Sequence, residues 1–262
     1  LPSRDALVML GDHQPTSIQR GFVPRVLAGE NVGARSRTGT GKTAAFAVPR
    51  CEMAVWEENA PRALGLEPSR ELAVQVSREL FQIGRKKRLK VPAVFGGFPI
   101  DKQMQTLKQK SHIVVGTPGR VMDLVRRGSL QLSGITHLVI DEADLMLDMG
   151  FLEEVGEIIS LLPENRKILL FSATLEKQVQ TLIDNYAADA VFVAQDQEDG
   201  PPPSIGQAAY EVTAENKYEV FKRVLMKENP DSCMIFCGTR EMVNVLFQEL
   251  RRARVFCGMI HG

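Results

Sequence analysis

Ser36-Arg37-Thr38-Gly39-Thr40-Gly41-Lys42-Thr43 is the stretch whose reading decides the fold of this chain. Glycines at 39 and 41 let the backbone turn tightly and approach an anion without Cβ clashes. The N–H groups of such a loop point at phosphate oxygens, and the helix that follows adds its positive N-terminal end. Lys42 reaches β- and γ-phosphates, and the Thr43 hydroxyl ligates Mg²⁺. The loop pattern needs a strand before it and a helix after it. Asn31-Val32-Gly33-Ala34 supplies the strand and residues 43–48 begin the helix. Ser36 departs from the Gly or Ala usual at its position, and a Gly-rich turn with a chance Gly-Lys-Thr is the bland alternative.

Asp141-Glu142-Ala143-Asp144 argues against that alternative. Four such residues often sit on a solvated helix face, but here Leu138-Val139-Ile140 precedes them and reads as a buried parallel strand. Ligands gather at the carboxyl ends of strands in open α/β sheets. Asp141 is thus placed as a magnesium carboxylate, partly through water, and Glu142 as the base that activates the attacking water. With Lys42 they form the catalytic set, and a nucleoside triphosphate with Mg²⁺ is the implied substrate pair.

Short apolar runs at 63–66, 93–95, 112–115, 138–140 and 168–171 alternate with amphipathic segments such as 69–84 and 151–162. That alternation predicts an α/β fold, a parallel sheet with helices on both faces. Gln195-Asp196-Gln197-Glu198-Asp199-Gly200-Pro201-Pro202-Pro203 breaks it, because prolines continue neither a helix nor a central strand. The expected organisation is a domain over 1–194, a linker over 195–203, and about half of a second α/β domain over 204–262. In that second part strands at 207–212, 233–237 and 255–260 alternate with helices at 217–227 and 240–252.

Formal net charge is zero, so attraction to a polyanion must be local. Cysteines 51, 233, 237 and 257 lack zinc spacing and read as reduced, buried thiols of a cytoplasmic protein. Nothing resembles a signal peptide or a bilayer span. His13, His112 and His137 read as structural or surface residues. The basic run 85–90 reads as a solvated helix end.

In its motifs the chain resembles the DEAD-box ATP-dependent RNA helicases along essentially its whole length. Residues 11–19, with Gln14 and the adenine-reading Gln19, match the Q motif. Pro68-Ser69-Arg70-Glu71-Leu72-Ala73 matches motif Ia with Ser69 for the usual Thr. Gly96-Gly97 matches the glycine doublet, Thr117-Pro118-Gly119-Arg120 motif Ib, Asp141 to Asp144 motif II, Ser172-Ala173-Thr174 motif III, and residues 235–240 motif IV. The resemblance implies RecA-like domains, with nucleotide held by Gln14, Gln19 and residues 36–43. It implies coupling of ATP state to domain closure through Ser172, Ala173 and Thr174. It implies single-stranded RNA held by Pro68, Arg70, Glu71, Gly96, Gly97, Thr117, Gly119, Arg120, Gly238 and Thr239. Such contacts hold a backbone without reading bases; the bland reading of Arg70 with Glu71 is an ion pair. Residues 51–59 resemble the DbpA-type bacterial branch, which implies structured, ribosomal RNA as partner. A monomeric core binding ATP or ADP is expected.

The family's upstream aromatic that stacks on adenine and its motifs V and VI, with their arginine finger, are not among these residues. A chain of this extent is expected to bind nucleotide, to hydrolyse it very slowly and not to unwind RNA. A P-loop enzyme acting on DNA and a non-catalytic ATP-gated clamp are the competing readings. The Q motif, residues 68–73 and the acidic cluster favour RNA. Lys42, Glu142 and residues 172–174 favour turnover.

Overall fold

The computed structural model describes residues 2–11, 13–36, 39–57, 60–194 and 206–261. The expected linker at 195–203 lies outside them, as do Arg37 and Thr38. The chain divides into two compact units, Leu1–Asp199 and Gly200–Gly262.

In chain order the first unit contains α1 (Pro2–Met9), α2 (Ser17–Leu27), β1 (Val32–Arg35), α3 (Lys42–Met53), β2 (Ala63–Leu66) and α4 (Arg70–Ile83). There follow β3 (Ala93–Val94), α5 (Ile100–Leu107), β4 (Ile113–Gly116), α6 (Pro118–Arg126), β5 (His137–Ile140) and α7 (Ala143–Asp148). The unit closes with α8 (Leu152–Ser160), β6 (Lys167–Ser172), α9 (Lys177–Tyr186) and β7 (Val191–Ala194). The seven strands form one sheet in the order β3-β4-β2-β5-β6-β1-β7, every pairing parallel.

Alternation along the strands sorts the core into two layers. Leu64, Leu66, Val114, Leu138, Ile140, Ile168 and Leu170 pack with α6, α7, α8 and α9. Val32, Ala34, Ile113, Val115, Val139, Leu169 and Phe171 pack with α2, α3 and α4. Phe171 anchors the second layer, stacked on Phe22 at 4.5 Å and tilted against Phe46 at 5.6 Å. A sheet buried on both faces is why its strands read as unbroken apolar runs. Because every strand runs the same way, the loops after β1, β2, β3, β4, β5 and β6 emerge at one edge.

At the opposite edge His137 is buried, its Nδ1 2.9 Å from Arg50 Nη1. Burial, and then the charges of Arg50 and Lys167, lower its pKa to about 3. The unfolded chain therefore takes up a proton near pH 6.5 that the folded chain refuses. Stability from this group is full above 6.5 and is lost as pH falls toward 3. At pH 5 the loss is about 2 kcal/mol. Thermal melts at pH 7.5 and 5 should show His137→Gln losing less than the unsubstituted chain; equal losses would refute the assignment.

The second unit corrects three expectations. It has helices α10 (Lys217–Glu228) and α11 (Arg240–Arg252), but the runs at 207–212, 233–237 and 255–260 form no strand. Met234 is 79% and Phe236 87% exposed. Parallel sheets occur almost only where both strand faces are covered, and here residues 233–237 and 256–260 line a 610 Å³ cavity against α11 instead. The cysteines differ likewise. Cys51 is buried, which pushes its thiol up to about 12, whereas Cys233 is exposed and Cys237 and Cys257 are half-buried. Among the described residues no helix is long and apolar enough to cross a membrane.

Candidate nucleotide and nucleic-acid site

The loop between β1 and α3 opens the site. Gly39 and Gly41 adopt φ of 80° and 86°, left-handed values that favour glycine. Gly41 caps α3, so Lys42 and Thr43 stand in its first turn with the free N–H groups of the helix end. The Lys42 ammonium is buried and lies 3.3 Å from Asp141 Oδ1 and 3.5 Å from Glu142 Oε1. The sequence motifs thus meet in space, cation against acids. Ser36 is fully buried, its hydroxyl bonded to that of Thr40 and its N–H donating to Ser172 O at 2.9 Å. Ser36 closes the loop upon β6, a structural part not foreseen for it.

Asp141 follows β5 directly, and its Oδ1 accepts from Glu142 N at 2.9 Å. Glu142 has φ 49° and ψ 52°, a left-handed conformation that is costly for a non-glycine residue and turns the chain sharply into α7. Burial holds the Asp141 carboxyl above its ordinary range despite the opposing charge of Lys42. Lys42, Glu142, Asp144, Leu145, Asp148 and Ala173 line a cavity of 270 Å³.

Glu67 is the functional candidate that the motifs left out. Leu66 pairs with Ile140, and Asp141 N donates to Leu66 O at 3.1 Å, so Glu67 and Asp141 stand side by side just past the ladder. Leu66 and Ile140 face the α6–α9 layer; alternation turns the next residues toward α3, where Lys42 begins. Glu67 is wholly buried, and neither carboxyl oxygen has a hydrogen-bond partner. Burial first, then the charges of Asp141 and Glu142, raises its pKa well above the usual range; Lys42 opposes them. The only sequence signal was an acid placed directly after a buried strand.

Asp144 joins the acid segment to the turn after β6. Its Oδ2 accepts from Thr174 N at 2.9 Å and Thr174 Oγ1 at 3.1 Å, while its own N–H donates to Ser172 Oγ at 3.3 Å. Ala173 contributes its carbonyl, which accepts from Arg35 Nε at 3.4 Å.

Thr16 and Gln19 form a reciprocal cap at the start of α2. Gln19 Oε1 accepts from Thr16 N at 3.1 Å, and its Nε2 donates to Gly41 O at 3.1 Å. A Cβ on Gly41 would come within 2.5 Å of that Nε2. Gln19 therefore holds the loop before α3 at Gly41, and Gln14 is exposed nearby in sequence.

The expected nucleic-acid contacts lie on loops of the same sheet edge. Pro68 is buried, Arg70 and Glu71 are exposed, and no ion pair joins them. The Arg70 guanidinium instead lies 5.3 Å from the centroid of the Phe95 ring. Gly96, Gly97 and Gly119 face open space, and Thr117 is half-buried at the cap of α6. Arg120 Nη1 donates to Phe98 O at 3.0 Å, so this arginine holds a loop as well as offering its remaining donors. The basic run has a structural part: Lys87 Nζ donates to the carbonyls of Glu52 and Ala54, capping α3. In the second unit Gly238 and Thr239 are exposed, and the Thr239 hydroxyl caps α11 by accepting from Met242 N.

A family model for the DEAD/DEAH box helicases matches residues 16–182. The ATP-dependent RNA helicase DbpA of Bacillus subtilis is 49% identical over 98% of this chain and 54% of its own length. The DEAD-box ATP-dependent RNA helicase CshA of Geobacillus kaustophilus is 37% identical over 98% of this chain and 55% of its own. The chain spans about half the length of these curated relatives. Among solved structures, a DEAD box protein from Methanococcus jannaschii superposes with a TM-score of 0.70 at 36% identity, covering 98% of this chain and 69% of that one. A hypothetical ATP-dependent RNA helicase from Sulfolobus tokodaii gives 0.68 at 35%, covering 74% and 56%. The matched span runs from the Thr16 cap through the glycine loop before α3 and the acids to the turn that Asp144 holds, on a sheet these structures share; the chain belongs to the DEAD/DEAH box helicase family and carries its RecA-like fold.

Proposed function

We propose that this chain is the core of an ATP-dependent RNA helicase. It binds ATP and the backbone of single-stranded RNA, and in a two-domain enzyme carrying this core that binding couples hydrolysis to local duplex unwinding or to remodelling of RNA–protein assemblies; this chain alone binds nucleotide, turns it over very slowly and does not unwind. The observation that carries the proposal is the bridge made by Asp144. One carboxylate links the acids beside Lys42 to the 172–174 turn, so a change at the γ-phosphate position is felt at β6.

In this reading Lys42 leaves Asp141 and Glu142 for the β- and γ-phosphates, and the N–H groups of residues 39–43 surround them. Glu142 accepts the proton of the attacking water. Gln19 addresses adenine with the donor and acceptor capacity that its cap leaves spare. Mg²⁺ suits the oxygen donors here. Asp141 and Thr43 would hold it, and the orphaned Glu67 oxygens lie within the same charged cluster. When bound, the ion offsets charge on the transferring phosphoryl group. Arg70, Thr117, Arg120 and the open glycines would hold sugar and phosphate.

Residues 204–262 are proposed to be part of a second RecA-like domain, an assignment supported by the near-complete coverage of the chain in the DbpA and M. jannaschii comparisons. Structured ribosomal RNA as the partner is supported by the likeness of residues 51–59 to the DbpA-type branch; a monomeric core in the cytoplasm is proposed beside it.

The test compares phosphate release by a two-domain enzyme carrying this core with single-stranded RNA, with DNA and with neither, and follows RNA affinity from about 50 to 200 mM salt. RNA alone should stimulate, and affinity should fall steeply with salt. Equal stimulation by DNA would refute the RNA assignment, and salt-independent affinity would refute the backbone contacts.

A further inference from the structure

The geometry points to Phe98 as a stacking platform for an unpaired RNA base, beside the contacts that hold the backbone; this rests on the RNA reading proposed above.

The loop after β3 is not a loose glycine turn. The buried side chain of Gln103 clamps it from α5, accepting from Phe95 N at 3.0 Å and donating to Phe95 O at 3.0 Å. Arg120 holds the Phe98 carbonyl from α6. Gly97 takes φ 74°, and Gly96 and Gly97 leave the approach open. The clamped loop presents an aromatic side chain to solvent: Phe98 is 42% exposed, its ring 6.1 Å from that of Phe95. Cations surround the pair. Arg70 lies over Phe95, and Lys102 Nζ is 5.9 Å from the centroid of the Phe98 ring.

A ring on a loop held from α5 and α6 keeps its exposed face in a fixed place for a partner. An aromatic face flanked by cations suits a nucleobase joined to its phosphates: the ring takes the π-face while the cations attract the backbone. Such stacking tolerates any base, since every base has a π-face. Phe98 would therefore raise affinity for unpaired RNA without making it sequence-specific. It would also favour strands whose bases are already unstacked, the form an unwound strand takes.

Single-stranded RNA of mixed sequence, and the same strand with abasic positions, supply the test, with a non-hydrolysable ATP analogue present. The unsubstituted chain should bind the intact strand about 5- to 100-fold more tightly than the abasic one. Phe98→Ala should remove that difference and leave the salt dependence unchanged, and Phe98→Trp should restore the difference. ADP affinity, equal in all three, checks that the substituted chains are folded. An unchanged preference for the intact strand in Phe98→Ala would overturn the stacking role while leaving RNA binding in place. Failure of the unsubstituted chain to bind either strand would overturn the RNA reading itself.

Discussion

In a two-domain enzyme carrying this core, Glu142→Gln should lower the rate of ATP hydrolysis by roughly a hundredfold or more while nucleotide still binds. The substitution keeps the side chain's size and shape, so the left-handed turn into α7 and the bond from residue 142 N to Asp141 Oδ1 persist. What goes is the carboxylate facing the 270 Å³ cavity beside Lys42 and Ala173, the space where a water in line with a γ-phosphate would stand. The amide cannot accept a proton from that water. Lys42 also loses one of its two anionic partners, which frees it for phosphate, so ATP affinity should hold or rise. Single-turnover hydrolysis and fluorescent-nucleotide titration separate the two effects. Unimpaired hydrolysis would place the base elsewhere. A parallel loss of binding would show that Glu142 shapes the nucleotide pocket instead.

Lys42→Ala should be as severe, in two measurements at once. Affinity for ADP should fall about a hundredfold, since a buried point charge facing the phosphates is removed. The fold should also lose stability, in a way that depends on pH. Lys42 is the cation opposing the burial of Asp141 and Glu67, both of which already sit above their ordinary pKa values. A carboxyl raised in the folded state contributes stability that is full below its unfolded pKa, near 4, and is lost as pH rises through the folded value. Without Lys42 both folded values climb further. Melting temperatures measured from pH 5 to 8 should then decline more steeply in Lys42→Ala than in the unsubstituted chain. Parallel curves would show that Lys42 does not neutralise the cluster, and unchanged ADP affinity would refute its place at the phosphates.

The two segments that meet around Lys42 were legible because each is local. Glycines at fixed spacing before Gly-Lys-Thr, and acids straight after an apolar run, need no knowledge of distant residues. The helices at Arg70–Ile83 and Leu152–Ser160 were legible for the same reason, since amphipathic spacing is local and Ser69 caps the first of them by accepting from Leu72 N. Glu67 was not legible as a site residue. Its meaning comes from register, and the pairing of Leu66 with Ile140 joins strands more than seventy residues apart. Strand β7 was overlooked beside the acidic, proline-rich stretch that follows it; it pairs with β1 at the sheet edge. The strands expected at 233–237 and 255–260 failed for the converse reason. Their apolar content is what a buried strand needs, but pairing depends on neighbours and cover that composition does not report. Asp144 was read as one more member of an acidic run. That its carboxylate would reach Thr174, thirty residues on, followed only from β5 and β6 lying side by side.

If the proposed adenine contact holds, the amide of Gln19 has a consequence for anyone wishing to retune it. The same three-atom group starts α2 through Thr16 and fastens Gly41 at the mouth of the phosphate loop. Position 19 is therefore not a free dial. A replacement chosen to greet guanine would loosen the hinge-post of the loop proposed to grip the phosphates, and affinity would drift before selectivity changed. A successful redesign would have to rebuild the helix start first, at Thr16 and Gln19 together, and only then turn to the base.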